Sequence, residues 1–434
     1  MTAGRRDALD SGVWSDKMGQ HITDTNLEAS SLKSPAMPPP PVPLWLQTAY
    51  NQNHINNVWR ILSDRERSRI RARLLSACYN RLEPDLSPAA HFPSGAHPRA
   101  NTTDHYSIAI GCSPENHVRN RYSDIHPYDR TRVDAGGRYF NADWVRELAG
   151  DRWTIATQAP LPNTAHEFLS LIAGIHPPLG PPEEPNLKFM RLRTAVQLTQ
   201  NFESGRQKAH PYFPDEPGES RIIRPPQETI GLPPLKVTLI KSEVIENAQC
   251  VASTVSVAPI VNGVPRSSVI FHHLLYGAWP DNGIPEPEDR VGLLNFIRLV
   301  DRTNKDLGGV EATEDVEPPI MVNCSAGVGR TGSFIALCSL LRSHGLLSQP
   351  SPQSAERAPI RPPPLPQSPL GPLPEPISWD EVGQEIDSLR EQRPGMVQRP
   401  EQALLVYEIL IAAFLTKDNV VHGHGHGYAL SGRS

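Results

Sequence analysis

A thiol and a guanidinium six positions apart form the most chemically informative pair in the sequence. Cys324 ends an apolar run, and Arg330 follows it after a loop of small, glycine-rich residues. An apolar segment of helical length, Phe334–Leu341, comes next, so the predicted order is strand, loop and helix. Such a loop can turn successive backbone N–H groups inward and form an anion-binding nest at the helix N-terminus. The Gly-Lys-Ser/Thr ending of a nucleotide-binding Walker loop is missing.

This arrangement predicts a nucleophile and a charge clamp in one pocket. Inward N–H dipoles and the helix end lower the pKa of a thiol, so Cys324 is expected to be a thiolate near neutral pH. The planar guanidinium of Arg330 suits two oxygens of a phosphoryl group. The competing interpretation is a buried structural cysteine beside a surface arginine. The glycines at 327, 329 and 332 make that interpretation the weaker of the two.

Short predicted strands alternate with turns and helices around this loop. Apolar runs predict strands at Lys188–Thr199, Ile222–Ile223, Leu235–Glu246, Ser267–Tyr276 and Pro319–Asn323. Helical spacing of apolar residues extends over residues 44–81, and the last predicted helix covers residues 401–415. Mixed strands flanked by helices predict an α/β fold, in which a twisted mixed β-sheet and its helices form one large domain.

Length and composition exclude several classes of protein. The 434 residues, of which 38% are hydrophobic and 21% charged, can form a sizeable core. The longest near-apolar run, Leu404–Leu415, contains Glu408 and is too short to span a bilayer, and no secretory signal is expected, so no membrane partner is predicted. A net charge of −5 argues against nucleic acid as a partner. Five scattered cysteines without a CxxC pair favour the cytoplasm or nucleus over an oxidising compartment.

Two proline-rich stretches set the expected domain boundaries. Of 46 prolines, six lie in residues 35–43 and eleven in residues 350–376. We expect a disordered tail over residues 1–42, a folded domain over residues 43–418 and a disordered insertion within it over residues 347–378. The His/Gly-rich residues 419–434 are expected to be flexible, without a preorganised metal site. Two PxxP motifs in the insertion allow SH3 or WW partners, although no basic residue has the usual flanking spacing.

Six motifs, in order along the chain, resemble those of the protein tyrosine phosphatase family, in its phosphotyrosine-specific, cysteine-dependent branch. They are the substrate-recognition loop Asn120–Asp124, the structural motif Ala156–Thr164, the glutamate segment Glu203–Lys208 with Tyr212–Pro214, the general-acid loop Trp279–Asp281, the signature loop Cys324–Arg330 and the glutamine loop Met396–Gln402. The resemblance covers residues 45–418, and its details are most similar to the subset found in fungi. It implies the phosphatase fold and phosphotyrosine-containing proteins as substrates.

The resemblance also implies a catalytic role for five residues. Cys324 would be the nucleophile, Arg330 the phosphate clamp and Asp281 the general acid and base. Gln398 would position the water that hydrolyses a cysteinyl-phosphate, because a neutral amide orients water without repelling phosphate. Thr331 would donate a hydrogen bond to the departing sulfur. No metal and no organic cofactor is implied.

Further residues would bind substrate or support the site. Tyr122 would stack on the substrate ring and set a pocket depth that leaves phosphoserine out of reach, while Asp124 would accept hydrogen bonds from the substrate main chain. The other predicted substrate-binding residues are Ser325, Ala326, Gly327, Val328, Gly329 and Gln402. The predicted supporting residues are Glu203, which would hold Arg330, with Lys208, Asn323, Trp279 and Pro280.

The residue before the nucleophile departs from the family pattern in a way that bears on activity. Asn323 stands where the family usually has the histidine that precedes the nucleophile. Since asparagine can bond backbone but cannot carry a charge, we expect activity to survive with a somewhat raised thiol pKa. Two alternatives stay open: a catalytically impaired, phosphotyrosine-binding pseudophosphatase, and a scaffold that recruits partners through its proline-rich segments.

Overall fold

The computed structural model describes residues 42–82, 98–175, 192–226, 231–281, 283–305, 318–347 and 365–422. They belong to one structural unit that begins at residue 41. Residues 1–41 of the predicted tail, 348–364 of the predicted insertion and 423–434 at the His/Gly-rich end lie outside the described residues. Val42, which was assigned to the tail, is buried in the core, so the folded domain begins at least one residue earlier than predicted.

The helices, numbered in chain order, are α1 Leu44–Ala49, α2 Gln52–Leu82, α3 Pro98–His105, α4 Ala165–Ile172, α5 Arg290–Lys305, α6 Gly329–Ser343, α7 Glu381–Gln392 and α8 Pro400–His422. The predicted helical region 44–81 is therefore confirmed with one break, at residues 50–51. Helix α8 begins at the proline that suits a first helical turn and continues past the predicted residue 415. Among the helices of the described residues, none combines the length and apolar character needed to cross a bilayer.

The strands are β1 Ala142–Arg146, β2 Trp153–Thr157, β3 Thr194–Gln197, β4 Phe202–Glu203, β5 Arg206–Gln207, β6 Ser220–Ile223, β7 Leu235–Ile245, β8 Cys250–Val261, β9 Val264–Pro265, β10 Val269–Tyr276 and β11 Ile320–Asn323. The main sheet has the order β1-β2-β11-β3-β10-β8-β7-β6, with β9 paired to β8. Neighbours from β2 through β10 are parallel, and the flanking pairs are antiparallel. The predicted α/β class with a mixed sheet flanked by helices is confirmed.

The four parallel strands β2, β11, β3 and β10 determine where the candidate residues meet. Parallel strands end at the same edge of a sheet, and ligand sites in open α/β sheets form at that edge. The signature loop follows β11, the glutamate segment follows β3 and the general-acid loop follows β10. Segments that are far apart in the sequence therefore converge at the carboxyl edge of the central strands.

Alternate residues of these central strands pack against opposite faces of the sheet. Val322 and Val196 join the larger buried cluster, to which α5, α6, α7 and α8 contribute. Met321 and Ala195 join the second buried cluster, to which α4 contributes. Covered on both faces, the strands are almost continuously buried and are held rigidly, which suits them to position loops.

Two parts of the sequence-based description need correction. Strands β1, β2 and β8 were not among the predicted strands, because charged residues in β1 and the Ser/Thr-rich composition of β8 obscure their alternation. The predicted disordered insertion also reaches too far, because its last part, residues 365–378, packs on the domain. Arg65 of α2 donates hydrogen bonds to the carbonyls of residues 370–372, and Ile377 is fully buried.

Candidate active site

The signature loop runs from the end of β11 into the first turn of α6. Gly327 has φ +74°, and a Cβ there would lie 2.1 Å from the carbonyl oxygen of Thr157, so both the conformation and the space require glycine. The carbonyls of Ala326 and Gly327 turn outward to accept hydrogen bonds from Arg393, at 3.0 and 2.8 Å. The backbone N–H groups of Gly327, Val328 and Thr331 are directed at the Cys324 sulfur, as a nest requires.

Cys324 is the buried centre of this nest, with 6% of its surface exposed. Burial raises the pKa of its thiol, but the Thr331 side chain, the positive charge of Arg330 and backbone N–H groups of the loop outweigh burial, and the pKa lies below its ordinary value. The Gly327 N–H points at the sulfur from 3.3 Å. The Thr331 hydroxyl makes no well-aligned hydrogen bond to another described group, so it is available to the sulfur.

Arg330 connects the signature loop to the segments that follow β3 and β10. Its guanidinium donates two parallel hydrogen bonds to Glu203, each 2.8 Å long. It also donates to the carbonyls of Leu198 and Pro280, both at 3.0 Å. Burial opposes the charge of Arg330, yet its pKa is raised because Glu203 and the thiolate favour the cation. The glutamate is positioned as expected, in a bidentate pair that fixes the plane of the guanidinium.

Asp281 lies beside the same guanidinium, with Oδ1 3.5 Å from Arg330 Nη2. The Lys208 ammonium pairs with both of its carboxylate oxygens, at 3.0 and 2.9 Å. The Trp279 side chain is 2% exposed and donates a hydrogen bond to the Gly283 carbonyl, which fastens the base of the loop. The segment Trp279–Asp281 therefore contacts the signature loop through Arg330, which bonds the Pro280 carbonyl and lies beside the Asp281 carboxylate.

Tyr122 is half-buried and contacts the signature loop directly. Its hydroxyl is 2.7 Å from Ser325 Oγ, and that hydroxyl in turn donates to the Lys208 carbonyl at 2.8 Å. The neighbouring Arg121 anchors the loop to the segment after β2. Asp124 is exposed on the same loop, and no described contact joins it to the signature loop. The structure thus brings Tyr122 into the site and leaves Asp124 at its rim.

The two candidate glutamines approach the signature loop from the start of α8: Gln398 lies just before the helix and Gln402 in its first turn. A Cβ on Gly329 would lie 2.9 Å from Gln398 Oε1 and 3.0 Å from Gln402 Nε2, so this glycine allows both amides to come close. Gln402 Oε1 accepts a hydrogen bond from the Gln398 backbone at 2.9 Å. Val397, with φ +57°, is a β-branched residue in the left-handed region, and such strain is typical of functional loops.

Comparisons with known proteins show the family of this chain. The family model described as "Protein-tyrosine phosphatase" matches residues 116–176 and 189–349. The chain belongs to the protein-tyrosine phosphatase family. The human receptor-type tyrosine-protein phosphatase H is 29% identical over 315 residues, which cover 70% of this chain and 22% of that protein. The human tyrosine-protein phosphatase non-receptor type 14 is 29% identical over 308 residues, covering 69% of this chain and 21% of that protein.

The chain therefore spans about a fifth of the length of these two relatives. A solved structure described as "Structural basis of PTPN18 fingerprint on distinct HER2 tyrosine phosphorylation sites" aligns with a TM-score of 0.48 and 25% identity, over 71% of this chain and 87% of that chain.

Asn323, the departure from the usual phosphatase pattern, is 1% exposed, and its side-chain amide donates a hydrogen bond to the Cys324 carbonyl at 3.0 Å. It thus keeps a neutral hydrogen bond to the backbone of the nucleophile. The pKa of the Cys324 thiol is below its ordinary value with asparagine in place. The expected rise relative to phosphatases with histidine stays a prediction.

One residue that shapes the signature loop was not predicted from the sequence. Arg393 is fully buried and pairs with Asp143 at 2.8 Å, while its other N–H groups bond Asn141 and the two signature-loop carbonyls. Burial raises the pKa of Asp143 to about 6, although the guanidinium beside it opposes the rise. No local spacing signals this role, because the partners of Arg393 come from distant parts of the chain.

Proposed function

We propose that this chain hydrolyses phosphotyrosine in proteins through a cysteinyl-phosphate intermediate. The observation that carries the proposal is the junction at Arg330. This guanidinium shares a loop with a thiol of lowered pKa, is fixed by Glu203, and contacts the loop that bears Asp281. A nucleophile, an oxyanion clamp and a proton donor are thereby held in one buried pocket.

In the first step the Cys324 thiolate attacks phosphorus in line with the bond to the tyrosine oxygen. As the sulfur–phosphorus bond forms and the phosphorus–oxygen bond breaks, Asp281 gives its proton to the phenolate, which leaves as tyrosine. General acid catalysis of this kind contributes about 10²–10⁴-fold. Arg330 and the inward N–H groups stabilise the equatorial oxygens of the transferring group.

In the second step Gln398 orients a water molecule toward the cysteinyl-phosphate. Asp281, now ionised, takes a proton from the water as its oxygen attacks phosphorus. The sulfur–phosphorus bond breaks, phosphate departs and the thiolate returns, with Thr331 donating to the sulfur. The exposed side chain of Gln398 and its packing against Gly329 support this role.

Specificity for phosphotyrosine follows from the depth of the pocket. Tyr122 would form its mouth, because its hydroxyl contacts Ser325 of the signature loop, and the Cys324 nucleophile is buried. A phosphorylated aromatic side chain would be long enough to stack on Tyr122 and reach Cys324, whereas phosphoserine would be too short. Asp124, which is exposed two residues later, would accept hydrogen bonds from the substrate backbone.

Turnover of a phosphotyrosine peptide by the full chain tests the proposal. Wild type should release phosphate, Cys324→Ser should release none, and Asp281→Ala should show a much lower kcat while still binding the peptide. Cys112→Ser, which changes a partly exposed thiol outside the signature loop, is the matched control and should stay active. Peptide binding by wild type without turnover would refute the enzyme and favour the pseudophosphatase alternative.

Partners and location are proposed on narrower grounds. Phosphotyrosine-containing proteins follow from the proposed reaction. An SH3 or WW partner would use the PxxP motifs of residues 359–366, most of which lie outside the described residues. A cytoplasmic or nuclear location is supported by the cysteine pattern of the sequence. Immunofluorescence of the full chain would test the location, and a pull-down with and without residues 350–364 would test the proline-rich partners.

A further inference from the structure

Three loops of the candidate site meet at the short segment Lys208–His210, which follows β5. The Lys208 ammonium pairs with Asp281 of the general-acid loop, and the Lys208 carbonyl accepts from Ser325 of the signature loop. The third contact has no role in the mechanism above. It joins His210 Nδ1 to Arg121 Nη2 of the substrate-recognition loop, at 2.9 Å.

The chemistry of this contact fixes its protonation state. A guanidinium has only donors, so the ring nitrogen must supply the lone pair, and the hydrogen bond exists only while His210 is neutral at Nδ1. Protonation would replace the acceptor with a donor and would bring two cations face to face. Burial, and then the charge of Arg121, lower the pKa of His210 below its ordinary value of 6.5. The contact is therefore present at neutral pH and is lost as the pH falls through that lowered pKa.

Among the described residues, no carboxylate pairs with Arg121 to offset a second cation. Besides His210 it donates to the carbonyls of Ala159 and Pro160, at 3.0 and 2.9 Å, and none of the described carboxylates forms an ion pair with it. Burial lowers the pKa of Arg121 to about 10. Tyr122, which lines the pocket, is the next residue, so a displaced Arg121 side chain would loosen the position of the stacking ring.

The other charged groups near His210 do not compete for its hydrogen bond with Arg121. On its own segment, the Lys208 ammonium is engaged by Asp281. From strand β6, Arg221 donates to the Pro211 carbonyl at 2.9 Å and does not bond the imidazole. Arg121 is the charged group that acts on the His210 ring from the substrate-recognition loop.

We propose that His210 is a positioning residue for substrate recognition, which holds Arg121 and therefore Tyr122 through a hydrogen bond that acid breaks. This inference rests on the proposed function, since it concerns how that pocket takes its aromatic phosphate. The chemical step is left unchanged, so the effect is expected in KM and not in kcat. A proton thus weakens substrate binding without touching the nucleophile.

Two substitutions separate the hydrogen bond from the titration. Asparagine places an oxygen where the histidine has Nδ1 and cannot be protonated, whereas leucine places a carbon there. At pH 7.5, His210→Leu should raise KM for a phosphotyrosine peptide roughly threefold to tenfold with kcat nearly unchanged, because the two carbonyl contacts of Arg121 remain. His210→Asn should keep the wild-type KM at that pH and should lose the additional rise of KM that wild type shows in acid. His117→Asn changes an exposed histidine just before the substrate-recognition loop, and its KM should match that of wild type at every pH.

A second measurement does not depend on activity. The titration of His210, followed by NMR of histidine-labelled full-length protein, should shift to higher pH in Arg121→Gln, since the neighbouring cation is removed. Arg221→Gln is the matched control and should leave it nearly unchanged. Any one of three results would overturn the inference. They are equal KM values for wild type and His210→Leu, the same rise of KM in acid for wild type and His210→Asn, and a His210 titration that does not change in Arg121→Gln. An absence of turnover in wild type would count against the proposed function alone, because the NMR titration still reports on the contact.

Discussion

Replacing Glu203 with glutamine tests whether the orientation of Arg330 limits catalysis. The carboxylate accepts two hydrogen bonds of 2.8 Å from the guanidinium and is itself largely buried, with 9% of its side chain exposed. Burial raises the pKa of Glu203, but the hydrogen bonds and charge of Arg330 lower it by more, so the pKa lies below its ordinary value. The carboxylate is therefore ionised at neutral pH. Glutamine keeps one acceptor oxygen and turns an NH₂ group toward a donor.

The loss is thus one charge-assisted hydrogen bond, worth about 1.5–3 kcal/mol. The carbonyls of Leu198 and Pro280 still hold Arg330, so only part of this free energy reaches the transition state. If about half of it does, the barrier rises by about 0.75–1.5 kcal/mol and kcat/KM falls roughly fourfold to thirteenfold. The free energy of unfolding should fall as well, because a buried guanidinium loses a partner.

The assay is kcat/KM for p-nitrophenyl phosphate, measured together with unfolding in urea. Glu66→Gln is the matched control: it breaks ion pairs with Arg69 and Arg73 on α2, away from the signature loop, and should lower stability without changing kcat/KM. Glu203→Gln with wild-type kcat/KM, despite a loss of stability like that of the control, would refute the reasoning.

Three further outcomes follow from the site. Because the pKa of the Cys324 thiol is lowered, its alkylation by iodoacetamide should reach half of its maximal rate at a lower pH than alkylation of an ordinary thiol. Thr331→Val should move this midpoint to higher pH, and an unchanged midpoint would contradict the role of the hydroxyl. Lys208→Met should lower kcat severalfold with little change in KM, measured on a phosphotyrosine peptide, since the general-acid carboxylate loses its partner. Gly327→Ala should lower the free energy of unfolding in urea by more than about 2 kcal/mol and abolish turnover. Gly395→Ala, at a glycine with a similar φ but open space around it, should lower that free energy by about 1 kcal/mol. Equal losses would show that the steric clash at Gly327 does not matter.

Local spacing was enough to predict the central part of the site. Cys324, the glycines and Arg330 lie within one loop, and the physics of a nest at a helix N-terminus acts over that same short stretch. The strand–loop–helix order was predicted for the same reason. Glu203 lies more than a hundred positions before Arg330 in the sequence. Its bidentate pairing with that arginine could therefore be anticipated only from the family resemblance.

The parts that escaped prediction depend on distant pairing. Arg393 lies in a polar stretch between α7 and the glutamine loop, and its importance comes from partners on β1 and in the signature loop. Strand β1 was missed because Asp143, unusual inside a strand, is tolerated only where that arginine meets it. His210 likewise resembles any loop histidine until Arg121 is brought beside it.

The fastening by Arg393 has a consequence for how the protein is made. Because a ribosome releases the chain from its N-terminus, the nucleophile emerges well before this arginine, which comes 66 positions after Gly327. Until then the outward carbonyls of the signature loop lack their donor, and the thiol lacks a finished nest. The Cys324 thiol of a nascent chain should therefore lack its activated reactivity until almost the whole domain has been synthesised.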